Sequence, residues 1–323
     1  MKPSMQTTTL PRTDLRVSRV CFGTMTFGGQ VDEPAAARIF GRCLDAGINF
    51  FDTANVYAQG ASEEIVGRLM RGRRDRIVLA SKVRGKTAQE CGLSPAAMRK
   101  ALDNSLRRLN TDYLDLYYLH MPDPEAPIED TLATMEEFVR AGKVRYPASS
   151  NYAGWQVCRM LWLADRNGWK PAAVTQPMYN LLARGIEQEY LPMCRELGVA
   201  TVVYNPLAGG MLTGKQPREA PLAGTRFENN DLYLGRYWHP AQFDAVDRLR
   251  EVAAAAGRSM VSLALNWLLH HTPVDGVILG ASRLEQLEEN LRALEDGALP
   301  AEAIQACDRV WEGLRGVTPK YNR

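Results

Sequence analysis

In the stretch Phe50-Phe51-Asp52-Thr53-Ala54-Asn55-Val56-Tyr57, an apolar run ends in a carboxylate and a tyrosine follows five residues later. A buried carboxylate is costly unless a cation answers it. Lys82, in Leu79-Ala80-Ser81-Lys82-Val83, ends the next apolar run. Adjacent parallel strands lie about 5 Å apart, so Asp52 and Lys82 are within ion-pair reach. A free phenol titrates near ~10 and holds its proton too tightly to be an efficient acid at neutrality. A cation within about 4–6 Å lowers such a pKa by roughly 1–3 units. Lys82, fixed by Asp52, is expected to do this for Tyr57. His120, at the end of the run after that, would then hydrogen-bond the carbonyl oxygen that receives the proton. An acid poised over a carbonyl, with no metal site and no activated serine or cysteine, lacks only a hydride donor.

Each residue also has an ordinary reading. Asp52 could cap a turn, Lys82 could be a solvated strand end, His120 a hydrogen-bonded structural histidine and Tyr57 a loop aromatic. These weaken when taken together, because Asp52 and Lys82 need each other. Polar residues also close the later runs, as Ser150-Asn151, Gln176 and Tyr204-Asn205.

Eight apolar runs must position this set: 17–23, 48–54, 76–83, 113–120, 143–151, 172–180, 199–207 and 275–282. Each is rich in β-branched or aromatic residues and bounded by Gly, Pro, Asn or Asp, as buried parallel strands are. Helical stretches lie between them. One opens at Ser62-Glu63-Glu64-Ile65, another at Ser94-Pro95 with proline in the first turn. Eight strands with helical crossovers predict an α/β fold, a (β/α)8 TIM barrel over residues 1–323 as a single domain with extended loops at the C-terminal face. A doubly wound sheet is the alternative, but it would usually bring a Gly-x-Gly-x-x-Gly turn after the first strand, where Gly23-Thr24-Met25-Thr26-Phe27-Gly28-Gly29 does not match. Residues 215–240 read as a long irregular active-site loop.

Composition narrows the function classes. Lys and Arg total 39 against 37 Asp and Glu, a formal charge of +2. That is too small a bias to point to nucleic acid or a membrane surface. The basic cluster at Arg71–Arg76 reads as a solvated turn. Six scattered cysteines without a paired spacing suit a reducing compartment. No window approaches the ~18 apolar residues of a membrane span, and the first residues lack the apolar core of a signal peptide. The expected location is cytoplasmic, with no metal, nucleic-acid or membrane partner. Gly209-Gly210-Met211-Leu212-Thr213-Gly214-Lys215-Gln216 nearly spells a P-loop, but Gln216 replaces the hydroxyl that would hold magnesium and no helix opens after it. Two glycines and a lysine near a strand end still suit some phosphate.

FDTANVY, then Lys82 in LASKV, then His120 in DLYYLHMPD resembles the Asp-Tyr-Lys-His tetrad of the aldo-keto reductase superfamily. The likeness runs on through GKVRYPASSNYAGW, QPMYN, YNPLAGGMLTGK and VILGASRLEQLEENL. With TRFENNDLYLGRYW and the terminal KYNR it is most like the aflatoxin aldehyde reductase branch. The resemblance implies a reductase of aldehydes and ketones, with Asp52, Tyr57, Lys82 and His120 catalytic and NADPH extended across the barrel mouth. It implies Asp52, Ser150, Asn151 and Gln176 around the nicotinamide, with Tyr204 stacked on its ring and Gly23, Thr24 and Met25 alongside. Asn205, Pro206, Leu207, Gly209 and Lys215 would wrap the pyrophosphate. Arg226, Gly280, Ser282 and Arg283 would meet the adenosine phosphate, and Gln286, Glu289 and Asn290 the adenine. Met25, Phe27, Tyr57 and His120 would line the substrate pocket, joined by Tyr233, Arg236 and Arg323. Two guanidiniums there would suit acidic or dicarbonyl aldehydes. A homodimer is also implied.

The chain departs from the family at Pro147-Ala148, where an aliphatic residue and a glycine are usual before the Ser-Asn pair. Proline removes a ladder donor, and the added methyl stands beside the cofactor floor. A second function fits the same tetrad: a regulatory barrel that senses NADP(H) and signals to a partner with little turnover, as channel-associated β subunits of the superfamily do.

Overall fold

The computed structural model describes residues 5–84 and 91–317. A short antiparallel hairpin, β1 (Thr7–Thr9) and β2 (Arg16–Ser18), precedes eight parallel strands. These are β3 (Val20–Gly23), β4 (Phe50–Asp52), β5 (Val78–Val83), β6 (Leu114–Leu119), β7 (Val144–Ser150), β8 (Val174–Gln176), β9 (Ala200–Val203) and β10 (Gly276–Leu279). They pair in sequence order, and β10 closes on β3 to form a barrel. Each expected run holds one barrel strand.

Helices cross from strand to strand outside the barrel: α1 (Glu33–Asp45), α2 (Ala61–Leu69), α3 (Pro95–Leu109), α4 (Ile128–Arg140), α5 (Gly154–Asn167) and α6 (Tyr190–Glu196). Three more, α7 (Asp231–Tyr237), α8 (Pro240–Ala255) and α9 (Met260–His271), lie between β9 and β10, and α10 (Leu284–Glu295) and α11 (Ala301–Arg315) follow. The α3 start is as its sequence suggests: Ser94 Oγ accepts from Ala97 N–H and Pro95 occupies the first turn. The α2 start differs. Left-handed Gly60 precedes it (φ 100°), and Ser62 turns inward to donate to Thr24 O at 2.8 Å. The 215–240 segment is not wholly irregular either, since α7 forms inside it, capped by Asn230.

Strand side chains alternate between two faces. Cys21, Phe50, Val78, Ala80, Leu116, Tyr118, Ala148, Val174 and Val202 form the barrel interior, while Phe22, Phe51, Leu79, Tyr117 and Leu119 pack outward under the helices. Leu10, Leu15 and Val17 of the hairpin join the interior cluster and plug its lower end. The alternation positions the chemistry. Counting on from Phe50 puts Asp52 inside, and counting on from Ala80 puts Lys82 inside. Both then lie at the C-terminal end of the barrel, opposite the hairpin. Pro147 is accommodated in β7 opposite Tyr117, and Ala148 is buried within the interior cluster. Among the described residues, no single helix is long and apolar enough to cross a membrane.

Candidate active site

Three strand ends, those of β4, β5 and β6, bring the four residues together. Lys82 is fully buried, and its ammonium donates to Asp52 Oδ1, to Thr53 O at 2.8 Å and to Tyr57 Oη at 3.1 Å. Gln176 Nε2 donates to the second Asp52 oxygen at 2.9 Å, so both oxygens of the carboxylate are engaged. The Tyr57 and His120 rings meet edge to face, 6.1 Å between centroids. Among the described residues no group of three or more His, Cys, Asp or Glu is arranged to hold a metal ion.

Burial raises the Tyr57 phenol above its ordinary value, and Lys82, the next largest influence, pulls it back only in part. This corrects the expectation of a net lowering. A strand-end cation is legible in a sequence, whereas the desolvation that opposes it is not. His120 is pushed down to about 3, first by burial and then by the charges of Lys82 and Arg84. Its imidazole is therefore neutral at ordinary pH.

The neighbouring strand ends supply an ordered rim. Asn151 and Asn205 end β7 and β9 in left-handed conformation, φ 62° and 59°, which asparagine tolerates better than most residues. Asn151 Nδ2 donates to His120 O at 2.8 Å and to Ser150 Oγ at 3.0 Å, and its Oδ1 accepts from Tyr204 Oη at 2.7 Å. Ser150 Oγ donates to Gln176 O at 2.8 Å. Ser150, Asn151, Gln176 and Tyr204 are thus one hydrogen-bonded set beside Asp52.

The remaining candidates sit on the segments that follow β9 and β10. After β9, Ala208–Thr213 form a tight helical turn in which Gly209 and Gly210 have positive φ. A side chain on Gly209 would stand 2.6 Å from the Tyr233 ring. Pro206 and Leu207 lead into this turn and Lys215 follows it, facing Glu289 of α10 at 3.4 Å. Arg226 Nη1 donates to Tyr233 Oη at 2.9 Å, and Tyr233 Oη donates to Asn205 Oδ1 at 3.2 Å. Gly280 follows β10 opposite Gly23, and its Cβ position lies 3.5 Å from Arg226 Nη2. Ser282 holds Gln286 Oε1 through its N–H and hydroxyl, which closes the turn carrying Arg283 into α10.

Three expectations change. Phe27 has no exposed surface and packs on Phe22, 5.8 Å between ring centroids, so it supports the pocket from behind rather than walling it. Met25 is the exposed neighbour at 40%. Tyr233 is buried, with its hydroxyl bonded to Arg226 and Asn205 and its ring beneath Arg236, so it braces the arginines. Thr24 turns its buried hydroxyl to Ser62 at 2.8 Å, so it is engaged within the structure rather than free for a ligand. Arg323 lies outside the described residues. Sequence reading missed Thr53, whose carbonyl is the third acceptor for Lys82, and the pairing of Gln176 with Asp52. The first could be found from its place beside Asp52. The second joins residues 124 apart in sequence and leaves no local signal.

Residues 19–312 match the Aldo/keto reductase family. Aflatoxin B1 aldehyde reductase member 2 of Homo sapiens is 36% identical over 326 residues, covering 95% of this chain and 90% of that protein. An uncharacterized oxidoreductase of Bacillus subtilis, YrpG, is 36% identical over 98% of this chain and 99% of its own length. A protein of Oryza sativa described as a probable voltage-gated potassium channel subunit beta is 35% identical, covering 95% of each chain.

Proposed function

The chain belongs to the Aldo/keto reductase family, and from that premise we propose that it reduces aldehydes, and ketones by the same chemistry, with NADPH and with Tyr57 as proton donor. The contact carrying this reading is the 3.1 Å hydrogen bond from Lys82 Nζ to Tyr57 Oη, with Asp52 behind the ammonium.

These segments suit a dinucleotide. Gly23 and Gly280 stand side by side without side chains, the turn at Gly209-Gly210 has positive-φ glycines, and Arg226, Arg283 and Lys215 bring positive charge. Pyrophosphate asks for backbone N–H groups and cations, and a 2′-phosphate asks for guanidinium. Arg226 and Arg283 are therefore assigned to the 2′-phosphate and make NADPH the preferred form. Asn205, Pro206, Leu207, Gly209 and Lys215 hold the pyrophosphate. Gln286, Glu289 and Asn290 meet the adenine, while Ser150, Asn151, Gln176 and Tyr204 hold the nicotinamide end beside Met25. When bound, the dinucleotide supplies a hydride to the carbonyl carbon.

The chain's own residues handle the proton. A phenol held above its ordinary pKa keeps its proton until negative charge grows on the carbonyl oxygen, which becomes far more basic than phenolate. Tyr57 Oη then donates, and Lys82 stabilises the phenolate left behind. Asp52 keeps that ammonium charged and fixed. Neutral His120 donates a hydrogen bond to the same oxygen and orients it.

Arg236, with Arg323, favours aldehydes bearing a carboxylate or second carbonyl, and the name of the human relative points to aldehydes as a class. The test is turnover of NADPH with succinic semialdehyde and 4-nitrobenzaldehyde, with NADH as control. Turnover of both, with preference for NADPH and for the acidic aldehyde, supports the reading. No turnover of any carbonyl despite tight NADPH binding favours a regulatory sensor, the second reading, which the rice channel-subunit relative motivates. Loss of the acidic preference in Arg236→Ala tests the arginine directly. If KM for succinic semialdehyde is unchanged there, the anion pocket is wrong.

A further inference from the structure

A cation at the end of β5 is left unused by this proton-transfer scheme. The ladder pairs Lys82 with Tyr118 and Val83 with Leu119, and His120 N–H donates to Val83 O at 2.9 Å. One step further in the same register, Arg84 stands beside His120. Its backbone is left-handed (φ 78°), so the chain leaves the strand there. The Arg84 side chain is only 26% exposed, and its Nη2 is 3.9 Å from Asp123 Oδ1, too far for a hydrogen bond. The other Asp123 oxygen accepts from Leu93 N–H at 2.7 Å. Arg84 Nε is buried without a hydrogen-bond partner among the described residues, and so is His120 Nδ1. The charge of Arg84 acts on His120 and on Tyr152, whose hydroxyl contacts Met121 O at 3.4 Å. The Arg84 guanidinium thus stands by Asp123 at the strand end next to His120, while the Tyr57 ring, bonded to Lys82, meets the imidazole edge to face.

A guanidinium carries only donors. A neutral imidazole has one donor nitrogen and one acceptor, and the partner of one nitrogen decides the other. We infer that Arg84 is a positioning residue: by presenting donors to the buried Nδ1, directly or through one bridging water, it holds His120 as the Nε2–H tautomer. That form places a hydrogen-bond donor toward the pocket. The groups facing His120 are the cations Lys82 and Arg84 and the phenol Tyr57; of the carboxylates nearby, Asp52 is paired with Lys82 and Asp123 stands by Arg84. The charges of Lys82 and Arg84 also oppose protonation of the ring. The consequence for catalysis rests on the carbonyl-reduction reading, but the tautomer does not.

The chain has four histidines, so imidazole 15N spectra of the whole protein are tractable, and His120→Asn identifies the His120 signals. In the wild type, Nε2 should be protonated and Nδ1 bare. In Arg84→Met the Nδ1–H form should gain population by about tenfold or more, the equivalent of roughly 1.4 kcal/mol. The His120 titration should also move up. Arg84→Lys, which keeps donors, should restore the wild-type tautomer, and Asp123→Asn, which only loosens the loop tie, should not disturb it. With an aldehyde, kcat of Arg84→Met should fall by about 10- to 100-fold, within the range for one acid–base group, while NADPH affinity holds. An Nδ1–H wild type, or an unchanged tautomer in Arg84→Met, overturns the inference even if reductase activity stands. A shifted tautomer in a protein that turns over no carbonyl sustains it and refutes the reductase reading instead.

Discussion

Replacing Lys82 with Met separates the structural from the chemical contribution of the buried pair. The Lys82 side chain is 0% exposed and that of Asp52 3%. Lys82→Met leaves the carboxylate with Gln176 as its remaining side-chain donor, so an uncompensated charge stays inside the barrel. One-sided loss of a buried ion pair costs about 3–5 kcal/mol. Asp52→Asn strands the ammonium and should cost a similar amount. Asp52→Asn/Lys82→Met removes both charges, and its loss should fall short of the summed single losses by about 2–3 kcal/mol. Burial alone would lower the Lys82 ammonium, but Asp52 and Tyr57 outweigh it and hold the group above its ordinary 10.5. A group raised on folding contributes stability that is fully present below its unfolded pKa and is lost as pH rises through the folded one. The advantage of wild type over the double variant should therefore persist to about pH 10 and fade above it. Urea unfolding gives the four stabilities, and steady-state kinetics give the activities. The two variants that lack Lys82 should lose kcat by about 10²- to 10⁴-fold, because Tyr57 has lost its phenolate stabiliser. Strictly additive stability losses, or a double variant that recovers turnover together with stability, would refute the reasoning.

Other residues give independent tests. His120 titrates lower when folded, so its contribution to stability is present above about pH 6.5 and is lost as pH falls toward its folded value of about 3. Thermal midpoints of wild type and His120→Asn should converge over that window, and kcat should show no imidazole ionisation between about pH 5 and 8. Gly209→Ala puts a methyl 2.6 Å from the Tyr233 ring at φ 69°. It should cost about 1–3 kcal/mol in unfolding and weaken dinucleotide binding measured by fluorescence quenching. Arg226→Ala should reduce NADPH affinity by roughly 10- to 100-fold, the worth of a charged hydrogen bond, and leave NADH affinity nearly unchanged by titration calorimetry.

Much of the barrel was legible because its strands are short, β-branched or aromatic runs with polar ends. The hairpin was not: Thr7–Thr9 is polar and half-exposed, and its value lies in the plug formed by Leu10, Leu15 and Val17. Helix α7 was hidden in a polar stretch containing Gly235, where capping by Asn230 and burial of Tyr233 and Tyr237 decide the outcome. Asp52 and Lys82 could be paired from strand alternation alone. Phe27 could not be placed, because four residues past the end of β3 the chain is free to turn either way. Burial, which sets the direction of the Tyr57 shift, depends on neighbours from the whole barrel mouth and is not written in any one segment.

The most direct measurement is kcat and NADPH affinity for wild type and Tyr57→Phe on one good aldehyde. Phenylalanine keeps the ring against His120 and removes only the hydroxyl that Lys82 holds at 3.1 Å. The expected result is a loss of kcat of about 10²-fold or more with NADPH binding unchanged. Undiminished turnover in Tyr57→Phe would contradict the assignment of the proton to this tyrosine.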